Sequence, residues 1–217
     1  MSVSAPTEPA RRRHARSKPA RPFWVELPFL LLIALTVAVS IKTFLVQPFY
    51  IPTESMLPTI EVNDRVMVSK LNYRFGEPQR GDIAVFISPL NGEDDAGIPE
   101  RVVRHILEAV GIRTASADDL IKRVVAVGGD TVEIKGGVLL VNGEAVPEPY
   151  LLEPGGMPDF GPETVPADNV FVMGDNRRIS YDSRRFGSIP YESLIGEAVV
   201  RIWPVSRFGG IDSVPGD

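Results

Sequence analysis

The sequence predicts an all-β body of antiparallel strands behind a single N-terminal transmembrane helix. Three observations predict it. One long apolar stretch, Phe23 to Val46, lies near the N-terminus, and no second one follows. Beyond it, apolar residues come in short or alternating runs, the pattern of buried and half-buried strands. The 217 residues also include 20 prolines and 19 glycines, enough turn formers to keep those runs short.

A chain this long holds one to two domains, and 44% hydrophobic with 24% charged residues is an ordinary globular composition. Cysteine is absent, which excludes disulfide scaffolds, cysteine nucleophiles and thiolate zinc sites. The two histidines, His14 and His105, are too few for a histidine-rich metal site. The net charge of −5 conceals an asymmetry. Residues 1–22 carry six basic residues (Arg11, Arg12, Arg13, Arg16, Lys18 and Arg21) against Glu8, leaving 17 basic and 27 acidic residues in the remainder. An acidic body argues against nucleic acid as its partner.

Residues 1–22, rich in Ala, Pro, Ser and Arg, read as a basic tail without periodic structure. The segment 23–46 has 24 residues, about 36 Å as a helix, enough to cross a bilayer. Glu26 stands near its start and Lys42 near its end, where a lysine can snorkel to the interface. Phe23 and Trp24 suit the near interface. A buried soluble helix and a cleaved signal peptide are the alternatives, the latter because Ala38-Val39-Ser40 offers small residues. A segment ending there has about 40 residues, longer than the usual ~15–30. The basic residues before the span place the N-terminus in the cytoplasm and the body, residues 47–217, outside.

Strands are expected at Val66–Val68, Ile83–Phe86, Arg123–Val127, Val132–Ile134, Val138–Val141, Phe171–Met173 and Ala198–Ile202. Gly136-Gly137 and Asn142-Gly143 are hairpin-turn signals. The acidic segment 88–100 reads as a surface loop, and Glu93-Asp94-Asp95 as a solvated charge run rather than a cation site. Val102, Val103, Ile106, Leu107 and Val110 repeat at helical spacing, so a helix is expected over 101–114.

Three segments can carry chemistry. Ser55 lies between Pro52 and Pro58, which restrict the backbone; if the chain is extended there, the hydroxyls of Thr53 and Ser55 share one side. One hydroxyl can then attack while the other donates to an oxyanion, although a plain turn has the same composition. A serine nucleophile needs a base. His105 reads as a surface histidine. Lys122 stands in the otherwise apolar run Leu120–Val127 beside Arg123, where desolvation disfavours the ammonium form. An edge-strand lysine with its head in water is the alternative. The third segment, Gly174 to Arg184, is dense in opposite charges, as a salt-bridged surface loop or as a shell that orients reacting groups.

In this order, behind an apolar anchor, the segments resemble bacterial type I signal peptidases. Pro52–Thr59 resembles the serine box, Arg80–Phe86 the second strand motif, Ile121–Asp130 the lysine box, and Gly174–Arg184 the box ending in Asp-Ser-Arg. The resemblance covers roughly residues 40–204. It implies a signal-peptidase-like all-β fold anchored to the membrane and an endopeptidase that removes signal peptides from exported preproteins. It also implies that Ser55 is the nucleophile and Lys122 the general base, with no metal and no cofactor. The Ser55 amide and the Thr53 hydroxyl would form the oxyanion hole. Ser180 would orient the lysine amine, and Asp182 with Arg184 and Asp175 with Arg123 would be supporting ion pairs. Phe49, Ile51, Pro52, Met56, Leu120 and Ile121 would line a cleft that accepts small residues at −1 and −3 of the substrate strand. A second β subdomain would be small, about 131–169. The partners implied are signal peptides and membrane lipid. Thr53 stands where many members have Ser, and Arg178-Ile179 where Asp-Asn is common. Two rivals remain: a self-cleaving serine–lysine repressor, which would need a DNA-binding module, and a non-enzymatic anchored β-rich binding domain.

Overall fold

The computed structural model describes residues 23–89, 119–151 and 153–211. The basic tail, most of the acidic segment 88–100 and the helix expected over 101–114, with His105, lie outside the described residues. The chain divides into two compact units, Met1–Val37 and Ala38–Asp217.

Helix α1 runs from Phe23 to Phe44 and contains Pro28 beyond its first turn, which removes one intrahelical N–H donor. Its described apolar side chains, from Phe29 to Val37, are largely exposed. Among the described residues no helix is long and apolar enough to cross a membrane, so the transmembrane expectation is not confirmed. The helix stops short of the far end expected for that segment. Val46 begins strand β1, Val46–Tyr50, in which Gln47 and Phe49 point inward and alternate with exposed Pro48 and Tyr50.

The body is built on two antiparallel sheets. The larger uses β1, β2 (Arg65–Ser69), β3 (Ile83–Ile87), β4 (Asp119–Val127), β9 (Asn169–Met173), β10 (Ile189–Pro190), β11 (Leu194–Trp203) and β12 (Gly209–Gly210). Its order is β1-β2-β11-β3-β4-β9-β10, with β12 paired to β11. The smaller sheet has order β7-β6-β5-β8, from β5 (Thr131–Lys135), β6 (Val138–Val141), β7 (Glu144–Ala145) and β8 (Phe160–Thr164). Short helices α2 (Leu71–Phe75) and α3 (Ser183–Phe186) and two 3-10 turns, Tyr191–Ser193 and Val205–Arg207, complete the described elements. Both hairpin turns form where expected: Gly136 and Gly137 have φ of 57° and 81°, Asn142 and Gly143 55° and 82°, the left-handed pair that a two-residue hairpin loop requires.

Strand β4 positions the site. It lies between β3 and β9, and Ile121 through Ala126 are all buried. That explains its continuous apolar run, which marks a strand covered on both faces. Ile121 joins a cluster with Phe49, Ile51, Met56, Val66 and Ile83. Val125 and Ala126 join a second with Ile134, Leu139 and Phe171, which ties the small sheet to the large one. Two charged residues, Lys122 and Arg123, therefore lie inside the sheet, and the edge-strand alternative for Lys122 is excluded.

Candidate active site

Ser55 leaves β1 in a turn rather than an extended segment: Leu57 N–H donates to the Glu54 carbonyl at 3.2 Å and Ile60 N–H to the Met56 carbonyl at 2.9 Å. The Thr53 and Ser55 hydroxyls nevertheless meet at 3.4 Å. The turn is also held from outside. Asn176 N–H donates to the Ser55 carbonyl at 3.0 Å, and its Nδ2 donates to the Glu54 carbonyl at 3.2 Å. Gly174 makes that approach possible, because a Cβ there would collide with the Ser55 carbonyl and the Ser180 hydroxyl.

Lys122 reaches across from β4. Its Nζ donates to Ser55 Oγ at 2.8 Å and to the Ile121 carbonyl at 2.7 Å. The lysine is 3% exposed and the serine 8%. Desolvation pushes the lysine pKa from 10.5 down to about 8, against Asp182 and Asp175, whose charges favour the ammonium. A hydroxyl and an amine with a lowered pKa, at hydrogen-bond distance, are the two parts of an activated nucleophile.

Lys122 opens onto a cavity of about 140 Å³ lined also by Phe49, Tyr50, Ile51, Pro52, Thr53, Val85, Asp119, Leu120 and Ile121. Five of the six expected cleft residues are there. Met56 is not: it is fully buried in the core cluster, because the turn after Ser55 carries it beneath the sheet. Tyr50, Val85 and Asp119 escaped the sequence reading. Val85 was legible only through its pairing with Ile121 across β3 and β4.

The polar cluster is a shell, not a surface loop. Arg123 gives Nε and Nη2 to the two oxygens of Asp175 at 2.9 and 2.8 Å, a buried bidentate pair. Asp182 takes Arg184 Nε at 2.8 Å and caps α3. It also accepts the Gly174 N–H at 3.1 Å. Thr59 donates to Asp175 at 2.5 Å, a contact the sequence reading missed. One expectation is corrected: Ser180 Oγ is buried without a hydrogen-bond partner, and the Lys122 amine is held by Ser55 and Ile121 instead. The unusual Arg178-Ile179 lies outside the shell. Arg178 pairs with Glu153 in an exposed ion pair, and Ile179 faces solvent. Among the described residues no cluster of His, Cys, Asp and Glu is arranged to hold a metal.

A lysine amine on a buried serine hydroxyl, beside an apolar groove in an antiparallel β scaffold, is the arrangement a serine hydrolase with a lysine base requires. Residues 24–203 match the family described as signal peptidase, peptidase S26, and the chain belongs to that family. It is similar to signal peptidase I of Leptolyngbya laminosa, 43% identical over 84% of this chain and 81% of that one. A probable signal peptidase I-2 of Synechocystis is 38% identical over 94% and 85% of the two chains. Signal peptidase I of Mycobacterium tuberculosis is 39% identical over 87% and 76%. A solved signal peptidase I of Enterococcus faecalis, 30% identical, superposes with a TM-score of 0.41 over 56% of this chain and 96% of that one.

Proposed function

We propose that this chain is a membrane-attached serine endopeptidase that removes N-terminal signal peptides from exported preproteins, with Ser55 as nucleophile and Lys122 as base. The observation that carries the reading is the 2.8 Å contact between Lys122 Nζ and Ser55 Oγ at the end of the apolar cavity. Once the amine is neutral, the hydrogen bond reverses and the hydroxyl donates to nitrogen. The amine takes the proton as Oγ attacks the carbonyl carbon. The Thr53 hydroxyl and the Ser55 amide stabilise the oxyanion, and the ammonium returns the proton to the leaving amine as the C–N bond breaks. Water, deprotonated by the same lysine, then releases the acyl group from Ser55. Asp175 with Arg123 and Asp182 with Arg184 hold β4 and the segment packed on the serine turn in place.

The substrate strand lies along Phe49–Thr53 and Asp119–Lys122, with main-chain hydrogen bonds supplying affinity. A cavity of about 140 Å³ is roughly the size that accepts one benzene. Shared between −1 and −3, it suits alanine-sized side chains. Mapping the cut in a preprotein by mass spectrometry should place it after a small residue with another small residue two positions earlier. Replacing the −1 residue by phenylalanine should abolish cleavage; cleavage indifferent to that change would refute the assignment of the cavity.

For topology, residues 1–22 form the cytoplasmic tail, 23–46 the membrane segment ending in the first residue of β1, and 47–217 the extracytoplasmic domain, with its smaller β subdomain within about 131–169. The support is the 22-residue helix α1 with exposed apolar side chains behind a tail with six basic residues. Protease added to intact spheroplasts should digest the body and spare an N-terminal tag. A protected body would refute this arrangement.

A further inference from the structure

Behind the catalytic pair, a side chain from the small sheet's side of the molecule is wedged between two arginines. The Tyr150 ring centroid lies 4.0 Å from the guanidinium carbon of Arg123 and 5.9 Å from that of Arg177. The Tyr150 hydroxyl donates to Glu148 at 3.0 Å, and Glu148 accepts Arg177 Nη2 at 2.6 Å and Nη1 at 3.1 Å. Arg177 Nε donates to the Gly174 carbonyl at 3.0 Å, and Arg184 Nη2 donates to the Arg177 carbonyl at 2.8 Å. Glu148 and Tyr150 lie in the connection between β7 and β8, whereas Arg123 and Arg177 belong to the shell that holds Lys122 and the Ser55 turn.

We propose that Tyr150, held by Glu148, is a positioning residue for peptide hydrolysis: its ring fixes the Arg123 guanidinium against Asp175, and with it the placement of the adjacent Lys122. The proposal rests on the Ser55–Lys122 reading. A cation on a desolvated aromatic face is held without competition for the hydrogen bonds that Arg123 gives Asp175. Without the ring, Arg123 gains freedom and Asp175 is less fully neutralised. Asp175 favours the ammonium of Lys122, so the base should become harder to deprotonate. The other charged groups of the elements packed around Lys122 are Asp119 on its own strand, Glu54 in the serine turn, and Arg177, Asp182 and Arg184 after β9. Strand β3 contributes only apolar residues.

The test is kcat and KM against pH for a signal-peptide substrate, using the full chain and the variants Tyr150→Leu, Tyr150→Phe, Glu148→Gln and Lys122→Met. Tyr150→Leu should lower kcat about tenfold, leave KM within about twofold, and move the midpoint of the pH rise to higher pH by about half a unit. Tyr150→Phe keeps the ring but loses the hydroxyl that Glu148 accepts; it should recover most of the turnover, with a midpoint shift smaller than that of Tyr150→Leu. Glu148→Gln should shift the midpoint in the same direction by less, and it decides the matter if the leucine variant does not fold. An unmoved midpoint in both Tyr150→Leu and Glu148→Gln, or a rise in KM alone, would overturn the proposal. An active Lys122→Met would instead overturn the dyad beneath it.

Discussion

Replacing Lys122 by arginine or methionine should abolish cleavage as completely as Ser55→Ala does, by at least ~10⁴-fold in kcat/KM, the scale of losing one member of a catalytic unit. Arginine fails because guanidinium stays protonated; methionine fails because it has no nitrogen. On the proposed assignment only the neutral amine accepts the Ser55 proton. Turnover should therefore rise through a midpoint of about 8 and level off above it. The same depressed pKa affects stability. The unfolded lysine binds its proton more tightly than the folded one, so stability rises with pH between about 8 and 10.5 and carries the full penalty below that window. At neutral pH the amine is mostly charged, and Lys122→Met removes its burial penalty of roughly 3 kcal/mol together with its hydrogen bonds to Ser55 and Ile121, worth ~1.5–3 kcal/mol each for a charged donor. The two effects are of the same order, so the variant should be inactive yet folded, read from urea unfolding at pH 7. Wild-type cleavage by a folded Lys122→Arg enzyme would refute the assignment.

Thr53 should account for the next largest loss. Its hydroxyl lies 3.4 Å from Ser55 Oγ and faces the cavity, on the side from which a substrate carbonyl would approach. Thr53→Ser retains the donor and should keep most of the turnover. Thr53→Val keeps the shape but not the donor and should lose roughly 10²–10³ in kcat, the usual consequence of removing one oxyanion donor. KM should change little, because the bond strengthens only as charge develops on oxygen. Equal turnover in the two variants would mean that the Ser55 amide acts alone.

Lys122 was legible in the sequence because an ammonium inside an apolar run of strand length is costly to bury and is seldom there for packing alone; β4 proves to be covered on both faces. The acid–base density of Gly174–Arg184 was legible for a related reason: such a run is stable when its charges pair, as Asp175–Arg123 and Asp182–Arg184 do. Ser55 was ambiguous, since proline brackets describe a turn as well as a nucleophile, and the turn is what forms. That turn also sends Met56 into the core, which an extended reading could not anticipate. Strand β1 was missed because its alternation lasts five residues and includes Pro48 and Gln47. Glu148 and Tyr150 were invisible because their partners are distant in sequence and only the packing of the small sheet against β4 and β9 brings them together.

The strand order has a consequence for biosynthesis. Ser55 follows β1 and Lys122 lies on β4, but the β1–β2 pair is joined to the β3–β4 pair through β11, residues 194–203. A chain made from its N-terminus therefore emerges with nucleophile and base on two separate hairpins, and the strand that seats them side by side is made after both of them. Until that strand is delivered, closing the sheet requires a contact of long sequence separation, the kind that forms late in folding. A nascent peptidase is thus unarmed until residues 194–203 have been made and have entered the sheet.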